Sequence, residues 1–566
     1  MSTDGSGDQP LTRAQLRALR AAEAAEAEAA ESVAAPASDS SADAEPDDAE
    51  LADAEEPTAQ TDAAEPDGIP SAAAPSASRP SVPLPTTPIA VGLPDATPAQ
   101  EEPAPSPAPP ATTDRRFTLT LLSVLGALAL VVGVLGFVSV TQGPRISQVQ
   151  VHPAQAIETS GSRVILTANQ RLDPIDIDQV TVEPAVPFTI DAAGRSVGIR
   201  FTVPLHDSTK YTVTVAGVTA SGGNSADLQT SFTTPASTIL LLQRTEDGDD
   251  TIFASDLGGE NARPVFAHPR IDDFRATPDA LVVSVEEDDG SHLLVMNRDG
   301  SNERELKLPG PGYVTSAQVS DRGGLVGYSY SDLELTEDSG RASVLVTQSL
   351  SGKGDPRIVQ VAGAEASVGE WQFVPDSSSL LFIDFDGALS VEDPTTDAGP
   401  QPMGTAASIL GVNRGTYTTI VERTDGSFMV LDLTDGSEVP LPESDPDYGD
   451  AVGIEAYPGG TLRHIVQRDE NGMPTGQAVV QVDDEGKATI IREVSGADSI
   501  LQTCASPSGQ YVAVTIAPDL LNNPYDDLPL PLPTTLHTQL IDLVGDETLP
   551  TLSGFDTSWC RAAPTP

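Results

Sequence analysis

The chain has 566 residues, with 84 Asp or Glu against 30 Lys or Arg, for a formal charge of −54. That balance argues against a nucleic-acid partner, because a polyanion is held by clustered Lys and Arg that displace its counterions. At ~100 to 200 residues per domain the length allows three or four domains if all of it folds.

It does not read as folding throughout. Residues 1–116 contain no Phe, Tyr or Trp and are dominated by Ala, Pro, Glu, Asp, Ser and Thr, too little apolar surface to offset chain entropy, so a disordered tail is expected. Within it, Thr12-Arg13-Ala14-Gln15 has capping-box spacing and opens a run of strong helix formers, which predicts a short helix over 13–31. The stretches Val82-Pro83-Leu84-Pro85 and Pro103-Ala104-Pro105-Ser106-Pro107 favour polyproline II and read as a spacer.

Phe117 to Val140 is 24 residues without a charge, enough for a helix to cross a hydrocarbon core of roughly 30 Å. The run begins too late in the chain for a cleavable secretory signal, so it is expected to remain as an anchor in the lipid bilayer. Arg115 and Arg116 abut its first residue, whereas the other flank delays positive charge to Arg145. Positive charge marks the cytoplasmic side, so the expected topology is N-terminus inside and C-terminal domains outside.

From Ile146 to Thr234 seven short alternating runs (ISQVQV, SRVILTA, QVTVEP, PFTIDA, SVGIRF, TKYTVTVAGV, LQTSFTT) are separated by turn residues, which predicts a β-sandwich over 146–235. Alternation puts Val149, Val151, Val164, Leu166, Phe201, Tyr211, Val213 and Val215 in its core. The segments Arg171-Leu172-Asp173-Pro174, Val180-Thr181-Val182-Glu183-Pro184, Tyr211 to Val218 and Ser231-Phe232-Thr233-Thr234 resemble the bacterial Ig-like domains of S-layer (SbsA-type) and other surface proteins. That resemblance implies a spacer or adhesive module.

From Ile239 a unit recurs every 30 to 50 residues or so, a period that suggests a propeller or solenoid. Its starts are Phe274-Arg275-Ala276-Thr277-Pro278, Ala317-Gln318-Val319-Ser320-Asp321, Trp371-Gln372-Phe373-Val374-Pro375, Ile409-Leu410-Gly411-Val412-Asn413, Ile454-Glu455-Ala456-Tyr457-Pro458 and Thr503-Cys504-Ala505-Ser506-Pro507. Hairpin signals such as Asp299-Gly300 and Asp435-Gly436 follow. The pattern is similar to a degenerate TolB-type, WD-like β-propeller, of which only Trp371 keeps the starting tryptophan.

Six starts and a first unit without one give an expected seven blades over 239–562. The segment Phe555-Asp556-Thr557-Ser558-Trp559-Cys560 has no strands after it and is expected to complete the first blade and remove open sheet edges. Cys504 and Cys560, the chain's two cysteines, then fall at equivalent places in innermost strands of neighbouring blades. In an oxidising compartment a disulfide there would lock the closure; two separate thiols are the alternative.

No catalytic motif is found, and none of the six histidines pairs with Cys, Glu or another His at metal-ligand spacing. Calcium is the cation that acidic turns such as Glu246 to Asp250, Asp384 to Gly387 and Ser444 to Tyr448 suggest, although none follows the twelve-residue calcium-loop pattern. The Pro- and Leu-rich insertion Asp519 to Thr535 is too long for a hairpin and reads as a lid or contact loop. The expected fold class is mostly β: disordered tail, one transmembrane helix, Ig-like β-sandwich and seven-bladed β-propeller. The expected function is a non-enzymatic binding or scaffolding protein of the cell envelope, its partner an envelope protein or glycan. The alternatives are a propeller enzyme acting on envelope glycan or peptide, and a transmembrane sensor signalling through its tail.

Overall fold

The computed structural model describes residues 115–141 and 143–565, apart from 221–223, 246–247, 321, 337–338, 362, 366, 529 and 546–548. The tail before Arg115, with its expected helix over 13–31, lies outside the described residues.

The uncharged run forms one helix, Arg115–Thr141, of 27 residues, about 40 Å long at 1.5 Å per residue. Its stretch Phe117–Val134 is long and apolar enough to cross a membrane, with no side chain buried against protein. Two of its hydroxyls are satisfied within the helix: Thr120 donates to the Phe117 carbonyl (2.9 Å) and Ser123 to that of Thr120 (2.8 Å), which suits a segment without water around it.

The alternating runs after Arg145 form two sheets. Ile146–Gln150, Arg163–Ala168, Ser196–Phe201 and Phe188–Ala193 lie side by side in that order, and Val180–Glu183, Lys210–Val218 and Ala226–Thr233 form the second sheet. Strand alternation puts every second residue inward. Val164, Leu166, Ile199, Phe201, Tyr211, Val213 and Val215 pack into one core, and Tyr211 stacks on Phe232 at 5.8 Å. Val149 departs from the expected core. It pairs with Leu166 but is 37% exposed, because its strand is the sheet edge and an edge residue is covered on fewer sides. Val151 is partly buried against the core.

From Thr238 the described residues form seven successive antiparallel sheets of three or four strands, with a two-stranded hairpin, Gln360–Val361 with Ala364–Glu365, between the third and the fourth. The first has three strands, Thr238–Gln243, Asp250–Asp256 and Arg263–His268; the other six are four-stranded meanders. Their first strands are Ile271–Ala276, Gly312–Ser320, Val368–Phe373, Ser408–Val412, Asp450–Tyr457 and Ser499–Ala505. Inner strands such as Leu380–Asp384 and Tyr511–Ala517 are buried along their length, because consecutive sheets pack against each other. Apolar clusters join consecutive sheets: Val282 with Val314 and Tyr328, Leu345 with Trp371, Leu381 with Ile409, Ile420 with Ile454, and Leu462 with Val512. A further cluster puts Tyr511 and Leu540 of the seventh sheet against Ile239 and Leu241 of the first.

The first sheet gains an inner neighbour from the end of the chain. Leu242 and Phe555 exchange backbone hydrogen bonds, each at 2.9 Å, and Ser558 N donates to the Leu240 carbonyl at 3.0 Å. Phe555 is buried among Leu242, Phe274 and Leu501, side chains of the first, second and seventh sheets.

Candidate functional site

The first strands of the meanders carry polar side chains that reach from one sheet to the next. Arg275 Nε donates to the Ala317 carbonyl (3.0 Å), Gln318 Nε2 to that of Trp371 (2.9 Å) and Gln372 Nε2 to that of Ile409 (3.1 Å). The terminal segment joins this row. Arg275 Nη1 donates to Asp556 (2.9 Å), Gln502 Nε2 also donates to Asp556 (2.9 Å), and Arg561 donates to the Val412 carbonyl (2.8 Å). Cys504 and Cys560 are joined by a disulfide, with Cα atoms 5.2 Å apart. Trp559 stacks on Tyr511, ring planes 7° apart, while Trp371 meets Phe373 edge-on and donates to Ser329 Oγ.

Arg275 sits between two buried carboxylates. Its side chain is 2% exposed, and Asp273 Oδ1 and Asp556 Oδ2 each lie 2.9 Å from Nη1, although Asp273 makes no aligned hydrogen bond. Burial pushes the Asp273 carboxyl well above the usual range, against the pull of Arg275. Neighbouring Asp272 keeps some solvent contact, yet the surrounding protein pushes it up to about 6, with Arg244 opposing. Glu455 is raised by burial as well, opposed by Arg561.

The sandwich is clamped onto the sheets by charge. Glu158 pairs with Arg298 (2.8 Å), and Asp376, itself paired with Arg414 (2.6 Å), accepts from Ser160 N (3.3 Å). Asp207 accepts from Tyr511 Oη (2.9 Å) and Ser237 N (2.8 Å), and its own N–H donates to Gln510 Oε1 (2.8 Å). Beside these contacts lies a cleft of about 610 Å³ whose walls include His206 and Tyr211 of the sandwich and Arg414, Tyr457, Arg463 and Asp483 of the sheets. Burial lowers the pKa of His206.

The 519–535 insertion is pinned at two points. Asp526 pairs with Arg244 (2.6 Å) and Asp527 with Arg270 (3.1 Å), and the insertion's own Leu528 and Leu532 are buried. Leu521, Tyr525 and Leu530 face solvent, Leu521 at 94% exposure. The acidic turns serve local roles. Asp384 Oδ1 accepts from the N–H groups of Asp386 and Ala388, and Asp250 accepts from those of Thr245 and Ile271. Of the helix-flanking arginines, Arg115 is exposed, and the Arg116 side chain lies outside the described residues.

The fold adds a grouping that spacing along the sequence does not show. The histidines do not all stand apart from ligand groups: folding the hairpin Ala280–Glu287 with Gly290–Asn297 brings Glu287, Asp289 and His292 together. His292 Nε2 lies 3.0 Å from Asp289 and 4.0 Å from Glu287, and Nδ1 lies 2.7 Å from Glu305. Bonds to Asp289 and Glu305 raise its pKa to about 8. The Asp289-Gly290 turn in the sequence could have revealed the hairpin and hence the cross-strand grouping; contiguous ligand spacing could not.

Among known families, the profile of the bacterial Ig-like domain matches residues 138–234. This match covers the sandwich and less than half of the chain. Comparison with curated protein sequences finds no match. Solved structures with partial likeness include uncharacterized protein lmo1340 from Listeria monocytogenes EGD-e (11% identity, TM-score 0.35, covering 50% of this chain and 88% of that one). An oligogalacturonate lyase in complex with manganese gives 11% identity, TM-score 0.38, and coverage of 60% and 94%. A nidogen/laminin complex gives 14% identity, TM-score 0.25, and coverage of 37% and 82%. Likenesses this low carry no inference about fold or activity. The apolar helix followed by a bacterial Ig-like domain fits a single-pass membrane protein with an extracellular domain.

Proposed function

We propose that the chain is a membrane-anchored binding or scaffolding protein of the bacterial cell envelope, non-enzymatic, with its tail in the cytoplasm and its Ig-like domain and a seven-bladed propeller outside. The observation that carries this reading is the order of an apolar helix and, directly after it, a segment matching bacterial Ig-like domains. Support for the propeller comes from apolar clusters between consecutive sheets, including the seventh and first, and from the Phe555–Leu242 pairing. The contacts at Glu158, Asp207 and Asp376 support a head in which sandwich and sheets are joined, rather than one swinging on a stalk. Its working surfaces are the cleft and the exposed apolar side chains of the 519–535 insertion.

The enzyme alternative rests on Asp272, whose raised pKa suits a general acid or base. Against it, Asp273 and Asp556 are both engaged by Arg275. Affinity capture from cross-linked membranes, with full-length chain and chains lacking 1–116 or 239–562, distinguishes the readings. Envelope partners that persist without the tail and vanish without the sheets support scaffolding. Partners lost with the tail support the sensor, and consumption of an envelope glycan or peptide that stops in Asp272→Asn supports the enzyme.

A further inference from the structure

The cleft beside the clamp is walled in part by a cation that the repeat of sheets does not call for. Arg463 lies on the second strand of the sixth sheet, paired with Ile454, the first residue of that sheet's recurring start. The equivalent pairs in the second, fourth, fifth and seventh sheets are Phe274 with Val283, Trp371 with Phe382, Ile409 with Val421 and Thr503 with Val514. Val283, Phe382, Val421 and Val514 are each exposed by 1% or less. Where those sheets bury an apolar side chain, the sixth carries a guanidinium, 7% exposed, in the wall of the cleft.

That charge is not neutralised by a neighbour. Arg463 Nε donates to Thr461 Oγ1 (3.2 Å), Nη1 to Ser444 Oγ (2.9 Å) and Nη2 to the Pro442 carbonyl. All three acceptors are uncharged, and among the described residues no carboxylate pairs with Arg463. Burial accordingly lowers its pKa without an opposing anion. Three of the five N–H donors of the guanidinium are used and two remain. A buried cation without a counter-ion is costly, and in a chain with 84 acidic residues to 30 basic ones a partner was easily supplied. We propose that the cleft binds a small monocarboxylate with an apolar body, and that the ligand's carboxylate is the missing partner of Arg463.

The rest of the cleft suits such a molecule. Its volume of about 610 Å³ can enclose a small organic ligand. Val186 and Val203 of the sandwich and Ile420, Val430 and Leu441 of the fifth sheet and its flank supply apolar wall. Tyr457 Oη accepts from Gln481 Nε2 (2.7 Å), and no acceptor among the described residues takes its own proton, which gives the wall a second donor. The other charges restrict what fits. Arg414 is already paired with Asp376. Asp483, whose Oδ1 accepts from the N–H groups of Glu485 and Lys487, and exposed Asp484 also line the cleft, so a phosphate or other multiply charged anion would be repelled where a single carboxylate is balanced.

The inference rests on the binding role proposed above, because this cleft is one of its working surfaces. The two can fail separately: loss of carboxylate binding leaves the capture of envelope partners unchanged. The test is calorimetric titration of full-length protein in lipid nanodiscs, against empty nanodiscs, with biphenyl-4-carboxylate and with its neutral isostere biphenyl-4-carboxamide. The acid should bind at one equivalent per chain and about tenfold more tightly than the amide, as a hydrogen bond to a charged group implies. Arg463→Gln keeps a donor for the Pro442 carbonyl and removes the charge, so acid and amide should bind it alike. Ala185→Trp, at an exposed position in the sandwich wall, fills the cleft without touching Arg463 and should abolish binding of both at unchanged far-UV circular dichroism. Arg200→Gln, an exposed arginine outside the cleft, should change nothing. Failure of wild type to bind either compound at millimolar concentration, equal affinity for the two, or a preference for the acid that persists in Arg463→Gln overturns the site. Should Arg463→Gln not fold, wild-type affinity in Ala185→Trp overturns it by itself.

Discussion

Replacing both cysteines by serine probes the joint between the seventh sheet and the end of the chain. Cys504 and Cys560 are 56 residues apart in sequence. By the chain-entropy relation, releasing a loop of that length from its cross-link costs ~4 kcal/mol at 25 °C. With roughly 420 ordered residues at about 2.1 cal/mol/K each, the unfolding entropy is ~0.9 kcal/mol/K and the melting temperature should fall by about 5 °C. The assay is differential scanning calorimetry of full-length protein in detergent, with and without reductant. Wild type should drop to the variant's temperature in reductant, and the variant should not respond. Hydrogen exchange should localise the effect to the Leu242 and Phe555 amides, whose mutual bonds the cross-link protects. A variant melting at the wild-type temperature, or a wild type indifferent to reductant, would refute the argument that this bond holds the terminal segment in place.

Three further outcomes follow from the buried charges. Arg275→Met leaves Asp273 and Asp556 buried without a cation, at a cost of ~3 to 5 kcal/mol, read as a fall in melting temperature that Asp273→Asn with Asp556→Asn should largely restore. Asp272, raised from 3.8 to about 6, holds its proton more tightly folded than unfolded, so stability is lost as pH rises from about 4 through 6. Asp272→Asn should therefore raise the melting temperature by at most about 3 °C at pH 7.5 and leave it nearly unchanged at pH 4. Tyr511→Phe removes a donor from buried Asp207, costs ~1 to 3 kcal/mol, and should speed exchange of the Ser237 amide without affecting that of Leu166.

What the sequence disclosed follows the range of the interactions. The long apolar helix was legible from composition alone, because one run carries the whole signal. The sandwich was legible from alternation, failing at Val149, where burial depends on which strand lies at the edge rather than on any local pattern. For the sheets, each expected start from Phe274 to Thr503 falls on a first strand. Glu158 with Arg298, Asp207 with Tyr511 and Asp376 with Ser160 were not legible, because partners 140 to 304 residues apart leave no periodic trace. Asp272 and Asp273 look like any acidic surface pair until the fold buries them. The grouping of Glu287, Asp289 and His292 leaves no contiguous spacing because its members meet across a turn.

The central claim, a cytoplasmic tail with the sandwich and sheets outside, is tested most directly by a membrane-impermeant maleimide on intact spheroplasts. The native cysteines are bonded to each other, so single substitutions report cleanly: Leu521→Cys on the exposed insertion and Ser78→Cys in the tail. The account predicts that Leu521→Cys is labelled in intact cells and Ser78→Cys only after detergent. Labelling of Ser78→Cys in intact cells, with Leu521→Cys protected, would contradict it.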